Sequence, residues 1–317
     1  PNSQYGVFPK PFGYFGGGFP TVSTVDRIDY TNDTATASVR GPLSLARNRL
    51  TATGNSNFGY FGGGFNSPTY YSTVDRIDYN NDTATASVRG PLNTTRYGPS
   101  ATGTSNFGWF VGGGDPGAVS LSRVDRINYA TDTLTPLQRG VLSQARVYSA
   151  STGNYNFGWI GGGVNPSPTV YYSTVDRIDY SNDTSTASVR GPLTVVRGEG
   201  AASGNNNFGY FGGGSPGTLS SVERIDYSND TASASPRGVL SRNRVDPAAT
   251  GNSSFGYFGG SGPASPSAFS SVDRIDYNND TETATLRGVL SSSRYLLAAT
   301  SPLTPSSAFA LGQYPNV

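Results

Sequence analysis

Short stretches of alternating apolar and polar residues follow one another along the chain, and none of them has a helical period. One representative segment contains four such stretches: Leu50 to Gly54, Phe58 to Phe61, Ser72 to Tyr79 and Thr83 to Val88. In a β-strand, successive side chains point to opposite faces, which accounts for the alternation. Asn, Ser, Asp and Gly separate these stretches, and these residues favour turns. The pattern predicts four short antiparallel strands and no helix.

This segment occurs six times. Its core, Val-Asp-Arg-Ile-Asp-Tyr with one change in two of the copies, begins 49, 50, 51, 47 and 50 residues apart, at Val25, Val74, Val124, Val175, Val222 and Val272. An aromatic segment rich in glycine precedes each core. A unit of this size cannot bury its own faces, and such units pack around an axis in a β-propeller. The predicted fold is therefore all-β, a propeller of six blades with four antiparallel strands each.

Three features of the repeat resemble the kelch family. Arg96 lies five residues before Ala101, Gly108-Trp109-Phe110 leads into glycines, and Val124 to Tyr129 is followed by a polar turn. The resemblance covers nearly the whole chain and implies a kelch-type propeller. One departure is the fourth strand, where Ala or Leu stands near the position of the usual Trp.

The ends of the chain predict how the ring closes. Phe12 to Gly18 matches the second strand of the repeat, but no first strand precedes it. Leu296 to Ser301 matches the first strand of the repeat, but no second strand follows it. Pairing them completes one blade from both ends and hides two sheet edges. We therefore divide the chain into a lead-in (1–10), a propeller (11–301) and a tail (302–317). Ala308 to Leu311 in the tail is compatible with a short strand, a linker or a further domain, and the start at Pro1 without any Met suggests a processed or partial chain.

The charges are regular and nearly balanced, with a net charge of +1. Arginine recurs at three repeat positions, and Arg27 and Asp29, two apart on one strand face, are predicted to form a partly buried structural pair. Balanced charge in every repeat argues against a nucleic-acid-binding stripe. The first arginine ring is Arg27, Arg76, Arg126, Arg177, Arg224 and Arg274; the second is Arg40, Arg89, Arg139, Arg190, Arg237 and Arg287; the third is Arg47, Arg96, Arg146, Arg197, Arg244 and Arg294.

Comparison of the six copies separates two ends of the predicted disc. The turns after the first and third strands barely change, whereas the second-to-third and fourth-to-first connections differ between copies. The connections that differ emerge together, at what we call the varied face; the opposite end is the constant face. Variable loops on a rigid scaffold are typical of binding surfaces. Tyrosine offers rigid contact area with a polar tip, which suits glycans and protein surfaces, although packing on the blade tops is the alternative. The candidate binding residues are Tyr70, Tyr71, Tyr97, Tyr148, Tyr171, Tyr172, Phe269 and Tyr295.

Catalytic and metal chemistry have little support in the composition. The chain has no His and no Cys, which excludes imidazole-based acid–base catalysis, thiol nucleophiles and imidazole metal sites. A pair of carboxylates is the remaining catalytic route. Asp115, Glu199 and Asp246 are the acids of the varied loops that lie outside the repeat pattern, and the sequence does not pair them. We expect no catalytic residues, no bound metal and no cofactor.

These patterns favour a non-catalytic binding or adhesion module that acts outside the cell or on a virion. We expect a glycan or protein surface as partner, no nucleic acid, and no membrane span because no apolar run reaches about eighteen residues. The uniform copies also resemble, more weakly, repeats of phage tail and surface proteins, which implies host recognition. The alternative is a structural subunit of a fibre, filament or virion, with the varied face used for self-assembly or for other virion or fibre proteins.

Overall fold

A computed structural model describes residues 11–262 and 268–302. It contains six four-stranded antiparallel sheets, and the first strands of the sheets contact one another in a closed ring around an axis. The first strand of each blade is thus the innermost and the fourth forms the rim. The prediction of an all-β propeller with six four-stranded blades is confirmed.

Blade I combines the two ends of the described chain. Ala298–Thr300 is its first strand and pairs with Phe12–Gly16, so that Tyr14 lies opposite Thr300. Val25–Asp29 and Ser38–Arg40 complete the blade. This arrangement fits the predicted closure: Phe12–Gly16 is paired on both sides, and Ala298–Thr300 takes the innermost place that the first strands hold in the other blades.

Each of the other blades is one continuous segment. Blade II consists of Thr51–Gly54, Phe58–Gly62, Val74–Asp78 and Ser87–Arg89. The corresponding strands are Ser100–Gly103, Phe107–Val111, Arg123–Asn128 and Leu137–Val141 in blade III; Ala150–Gly153, Phe157–Gly161, Val175–Asp179 and Ser188–Arg190 in blade IV; Ala201–Gly204, Phe208–Gly212, Val222–Asp226 and Ser235–Arg237 in blade V; and Ala248–Gly251, Phe255–Gly259, Ser271–Asp276 and Thr285–Val289 in blade VI. Single 3₁₀ turns follow three of the third strands, at Tyr129–Thr131, Tyr180–Asn182 and Tyr227–Asn229.

Neighbouring blades are joined near the rim by an aspartate in the turn after the third strand. Asp82 of blade II accepts hydrogen bonds from Tyr14 Oη at 2.8 Å and Arg27 Nη1 at 2.7 Å, both in blade I. The Tyr14 ring also stacks on Tyr79, with centroids 4.9 Å apart. An equivalent arrangement recurs between all six blades, with Nε1 of Trp109 or Trp159 in place of the tyrosine hydroxyl in blades III and IV. We call it the aspartate clasp; its acceptors are Asp33, Asp82, Asp132, Asp183, Asp230 and Asp280.

A second ion pair between consecutive repeats is completely buried. Arg47, which precedes blade II, places Nη1 2.9 Å from Oδ2 of Asp75, and both side chains are 0% exposed. Arg47 also donates to the carbonyl oxygen of Phe61 at 3.1 Å. Removing one partner would leave a buried charge without compensation, which is why such pairs tolerate little change. The buried pairs are Arg47–Asp75, Arg96–Asp125, Arg146–Asp176, Arg197–Glu223, Arg244–Asp273 and Arg294–Asp26.

The glycine that ends the second strand makes room for an aromatic ring of the next blade. A Cβ added to Gly161 would lie 2.7 Å from Cε1 of Phe211. Blade III departs from this pattern, because Val111 stands at the glycine position and Ile160 replaces the phenylalanine it faces. Both side chains are fully buried in one hydrophobic cluster. The larger residue on one blade is thus matched by a smaller residue on the next.

The fourth strand is shorter than predicted. Thr83 and Ala84 belong to the turn that follows the third strand, Thr85 and Ala86 are irregular, and the strand begins at Ser87. The backbone here is committed to the neighbouring blade, because Gly41 N donates to the Asp82 carbonyl and Ala86 N to the Pro42 carbonyl, each at 2.8 Å. The alternation of Thr and Ala predicted a strand from Thr83. Hydrogen bonds to the neighbouring blade determine the backbone conformation of this segment instead.

The predicted pairing of Arg27 with Asp29 is wrong. Arg27 binds Asp82 of the next blade, whereas Asp29 accepts hydrogen bonds from the backbone and hydroxyl groups of Thr31. A short carboxylate bonds more easily to the turn that follows it than to a long side chain on its own strand. The first arginine ring therefore joins blades rather than residues within a strand.

Several predictions concern residues that the structure does not describe. The lead-in (1–10), the tail beyond Pro302, the strand suggested for Ala308 to Leu311 and part of the connection from Gly262 to Phe269 lie outside the described residues. Within the described part, the propeller strands run from Phe12 to Thr300.

Candidate functional site

At the varied face, one residue of each repeat has a left-handed backbone, although five of the six are not glycine. Their φ values lie between 54° and 59°, a region that costs L-residues about 1–2 kcal/mol. Each residue lies two positions before the first residue of an innermost strand. The six are Arg49, Gly98, Tyr148, Glu199, Asp246 and Leu296.

These six residues form a closed ring of backbone hydrogen bonds around the axis. The N–H of each donates to the carbonyl of the equivalent residue in the preceding blade, at 2.8 to 3.1 Å, and Arg49 closes the circle on Leu296. We call this the axial ring. The bonding uses only backbone atoms, so it accounts for the repeated conformation and leaves the side chains free to differ.

Two acidic side chains meet on the axial ring. Asp246 N donates to the carbonyl of Glu199, so the two residues are neighbours in the ring. Burial raises the pKa of the Asp246 carboxyl well above its usual range, the charge of Glu199 raises it further, and Arg49 acts in the opposite direction. The sequence alone does not pair these acids; the propeller makes Glu199 and Asp246 neighbours at its axis by bringing two separate loops together. Asp115 lies elsewhere, in a turn where it accepts from the backbone of Gly117 and Val119.

Arg49 differs from the other arginines. Each arginine of the described residues except Arg49 and Arg242 has a carboxylate oxygen within 3.7 Å. Arg242 is exposed, whereas Arg49 is partly buried and its Nε has no hydrogen-bond partner among the described residues. Its guanidinium carbon lies 5.4 to 5.9 Å from the ring centroids of Phe65, Tyr97 and Tyr148. The Arg49 guanidinium is therefore stabilised by contacts with aromatic rings, whereas the guanidinium groups of the paired arginines contact a carboxylate.

The candidate tyrosines fall into two groups. Tyr70, Tyr97, Tyr148 and Tyr171 belong to one cluster with Phe65, and successive centroids from Phe65 through Tyr70 and Tyr97 to Tyr148 are 4.8, 5.6 and 5.8 Å apart. Tyr97 is only 7% exposed, so it supports the cluster rather than offering contact area. This row of rings leads from the second-to-third connection of blade II to the axial ring.

The remaining candidates lie outside that row. Tyr295 packs on Phe19 of blade I at 5.3 Å, and Phe269 lies under Arg242 at 4.8 Å. Tyr71 and Tyr172 are partly buried, and their backbone carbonyls accept from Arg96 and Arg197.

Two small hairpins raise part of the varied face, and they were predicted only as loops. Phe65–Asn66 pairs with Thr69–Tyr70 in blade II, and Val164–Pro166 pairs with Thr169–Tyr171 in blade IV. The sequence signal was present, since a turn-forming run of Asn, Ser and Pro separates aromatic or β-branched residues on both sides. The hairpins carry Tyr70 and Tyr171.

Two adjoining cavities open at this face. One of about 280 Å³ extends from the hairpin of blade II to the axis and is lined by Asn48, Arg49, Tyr148, Glu199, Asp246 and Tyr295, among others. The other, about 130 Å³, follows the innermost strands below the axial ring. We call the first of these the axial groove. At the constant face, the axial opening is lined mainly by Gly, Ser, Thr and Asn, with Tyr155 as its aromatic residue and no charged side chain.

Arg49, Glu199 and Asp246 were not among the predicted binding residues. A signal existed: the position two residues after each arginine of the third ring holds Arg, Gly, Tyr, Glu, Asp or Leu, one in each copy. Only Tyr148 was selected from this position, because the prediction favoured aromatic residues.

Residues 11–262 and 268–302 include no group of three or more acidic side chains placed to hold a metal ion. The same residues include no helix with the length and apolarity needed to cross a membrane.

Comparison with known proteins relates the chain to others by fold. No protein-family profile matches it, and no curated protein sequence matches it. Among solved structures it is similar to YjhT, with a TM-score of 0.73 and 12% sequence identity over 88% of this chain and 95% of that one. At this identity the similarity establishes a shared fold, the β-propeller.

Proposed function

We propose that this protein is a non-catalytic binding module that recognises a glycan or protein surface through its varied face. The observation that carries the proposal is the axial ring, where one backbone geometry is repeated six times with six different side chains. Selection for folding alone would favour glycine at these left-handed positions, since only glycine adopts them without strain. Non-glycine residues at strained positions are typical of functional sites.

The finer parts of this proposal rest on the sequence. The repeat resembles the kelch family through Arg96, Gly108-Trp109-Phe110 and Val124 to Tyr129. Similarity to phage tail and surface repeats supports adhesion to a host surface, at an extracellular or virion location. The absence of His and Cys supports a role without catalysis.

A structural subunit of a fibre or virion is the second candidate, and one observation favours it. The fourth strands expose an aliphatic side chain in five blades, where Val39, Val88 and Val189 are 58 to 59% exposed, Leu137 is 60% and Leu286 is 49%. These residues recur once in each of these five blades on the rim strands, and we call them the rim girdle. Contact between discs through this girdle would cover open strand edges.

The proposal is tested with a screen of glycans and host-cell surfaces. The wild-type disc is compared with a variant in which Tyr70, Tyr71, Tyr171 and Tyr172 are changed to Ala. We expect about a tenfold or larger loss of affinity, because aromatic residues contribute strongly to interfaces. A Tyr155→Ala variant is the matched control on the constant face, and thermal unfolding verifies that each variant is folded.

Either result assigns a role. Binding that Tyr155→Ala keeps and the fourfold variant loses supports recognition by the varied face. A folded wild type that binds nothing but forms higher oligomers in sedimentation, reversed by Val39→Lys and Val88→Lys, would replace recognition with assembly.

A further inference from the structure

We propose that the axial groove binds a single uncharged sugar residue at the end of a glycan. This inference rests on the proposed binding function and adds its ligand class and its site. The groove lies on the axis, where loops from different blades converge, and a chain end can enter it more easily than a continuous surface can.

The size of the groove limits the ligand. Its volume of about 280 Å³ lies just below the range of about 300–1,000 Å³ typical of small-molecule pockets. The walls come from separate repeats, since Arg49 precedes blade II, Tyr148 precedes blade IV, and Glu199 and Asp246 precede blades V and VI. The backbone bonds of the axial ring hold these side chains in place before any ligand arrives, so little ordering is needed on binding.

The charges favour a ligand without net charge. Arg49 lines the groove, and its guanidinium N–H groups are hydrogen-bond donors. Glu199 and Asp246 present acceptors on the same groove. A bare anion would be repelled by the charge of Glu199, and a bare cation would meet the guanidinium of Arg49. Hydroxyl groups can donate to the acids and accept from Arg49, so a polyol uses both sides of the groove.

The aromatic side chains add a further match. Tyr148 and Tyr295 line the groove, together with Phe65 and Phe19. Sugar rings combine an apolar C–H face with hydroxyls at their edges, and a tyrosine combines an apolar ring with a polar tip. The same groove therefore offers both kinds of contact that a sugar ring needs.

The test uses free monosaccharides and saturation-transfer NMR, with affinities from calorimetry. The probes are D-glucose, D-galactose and D-mannose as neutral sugars, D-glucuronate as an acidic sugar and D-glucosamine as an amino sugar. We expect at least one neutral sugar to bind more tightly than the charged sugars. The wild-type disc is used throughout as the reference.

The variants use the glycine that blade III already carries at this position, Gly98. Arg49→Gly and Glu199→Gly should each lower the affinity for the neutral sugar by about tenfold or more, because hydrogen bonds to charged groups are lost. Neither variant should unfold more readily than wild type, since glycine suits a φ near 58°. Arg242→Gly is the matched control, because it removes the other arginine that has no carboxylate partner, and it should bind as wild type does.

The outcomes separate this inference from the function it rests on. Neutral sugars that bind equally to wild type and Arg49→Gly would overturn the axial site while leaving a binding function. Preference for D-glucuronate or D-glucosamine would overturn the ligand class. If no monosaccharide binds but larger glycans or cells do, the axial inference fails and recognition by the outer loops remains. If nothing binds at all, the proposed function fails as well.

Discussion

In every repeat, the arginine of a buried pair is followed two residues later by a residue of the axial ring. Arg47 and Arg49 show the contrast within one short segment. Arg47 is fully buried against Asp75, and its equivalents are arginine in all six copies. Arg49 has no carboxylate partner among the described residues, and its equivalents are five different residue types. The two positions lie in the same loop, yet the residue type is constant at one and varies at the other.

The difference comes from which atoms make the conserved bonds. A buried pair uses side-chain atoms, so changing either residue leaves a charge without compensation. The axial ring uses backbone atoms, which every residue except proline can supply. Side chains on the ring can therefore diverge without breaking it. In a repeat protein, a position where the backbone repeats and the side chain does not is where function is best sought.

The largest expected effect comes from breaking a buried pair. Asp75→Ala should lower the free energy of unfolding by about 3–5 kcal/mol, because Arg47 would keep its charge in a site with no exposure. Urea unfolding measures the change. Asp78→Ala is the control from the same Val-Asp-Arg-Ile-Asp motif. Among the described residues the Asp78 carboxylate accepts a hydrogen bond from the backbone of Asn80 alone, so its loss should cost about 1 kcal/mol. Similar losses of unfolding free energy in Asp75→Ala and Asp78→Ala would show that the buried pair is no more important for stability than a turn carboxylate.

A smaller effect should come from the one blade interface that departs from the repeat. Ile160→Phe places a phenylalanine against Val111 and should destabilise the disc by about 1–3 kcal/mol through overpacking. Adding Val111→Gly restores the pair found between the other blades and should recover most of that loss. A double-mutant cycle in urea gives the coupling energy. Additive effects would show that the two residues do not compensate for each other.

The smallest effect concerns the axial ring and depends on pH. The pKa of Asp246 is raised above its ordinary value of 3.8 by burial and by Glu199, so the native state holds a proton that the unfolded chain has released. Stability should therefore fall as the pH rises from about 4 through the native pKa. Besides Glu199, the charged and titratable neighbours of Asp246 are Arg49, Tyr148 and Tyr171.

Asp246→Asn should remove this loss. At neutral pH the variant should be more stable than wild type, and near pH 4 the two should be equal. Thermal unfolding across this pH range measures the difference. A constant difference at all pH values would show that the carboxyl does not titrate in this window.

Local sequence and periodicity determined most of the architecture. Six copies with four alternating stretches each, such as Phe58 to Phe61, require a closed arrangement of small sheets, because no single unit can bury its faces. The turns were equally readable, since Asn55 and Asp78 bond to their own local backbone. These features depend on residues close together in the chain, where the physical rules are local.

Contacts between blades were decided only by the tertiary structure. The partner of Arg27 is 55 residues away in Asp82, and Thr83 to Ala86 does not form a strand because the preceding blade binds its backbone. Glu199 and Asp246 are 47 residues apart and become neighbours at the axis. The sequence predicts that each blade forms, because alternation within a strand is a local property. It does not predict which side chains meet around the axis, because that depends on how six blades pack together.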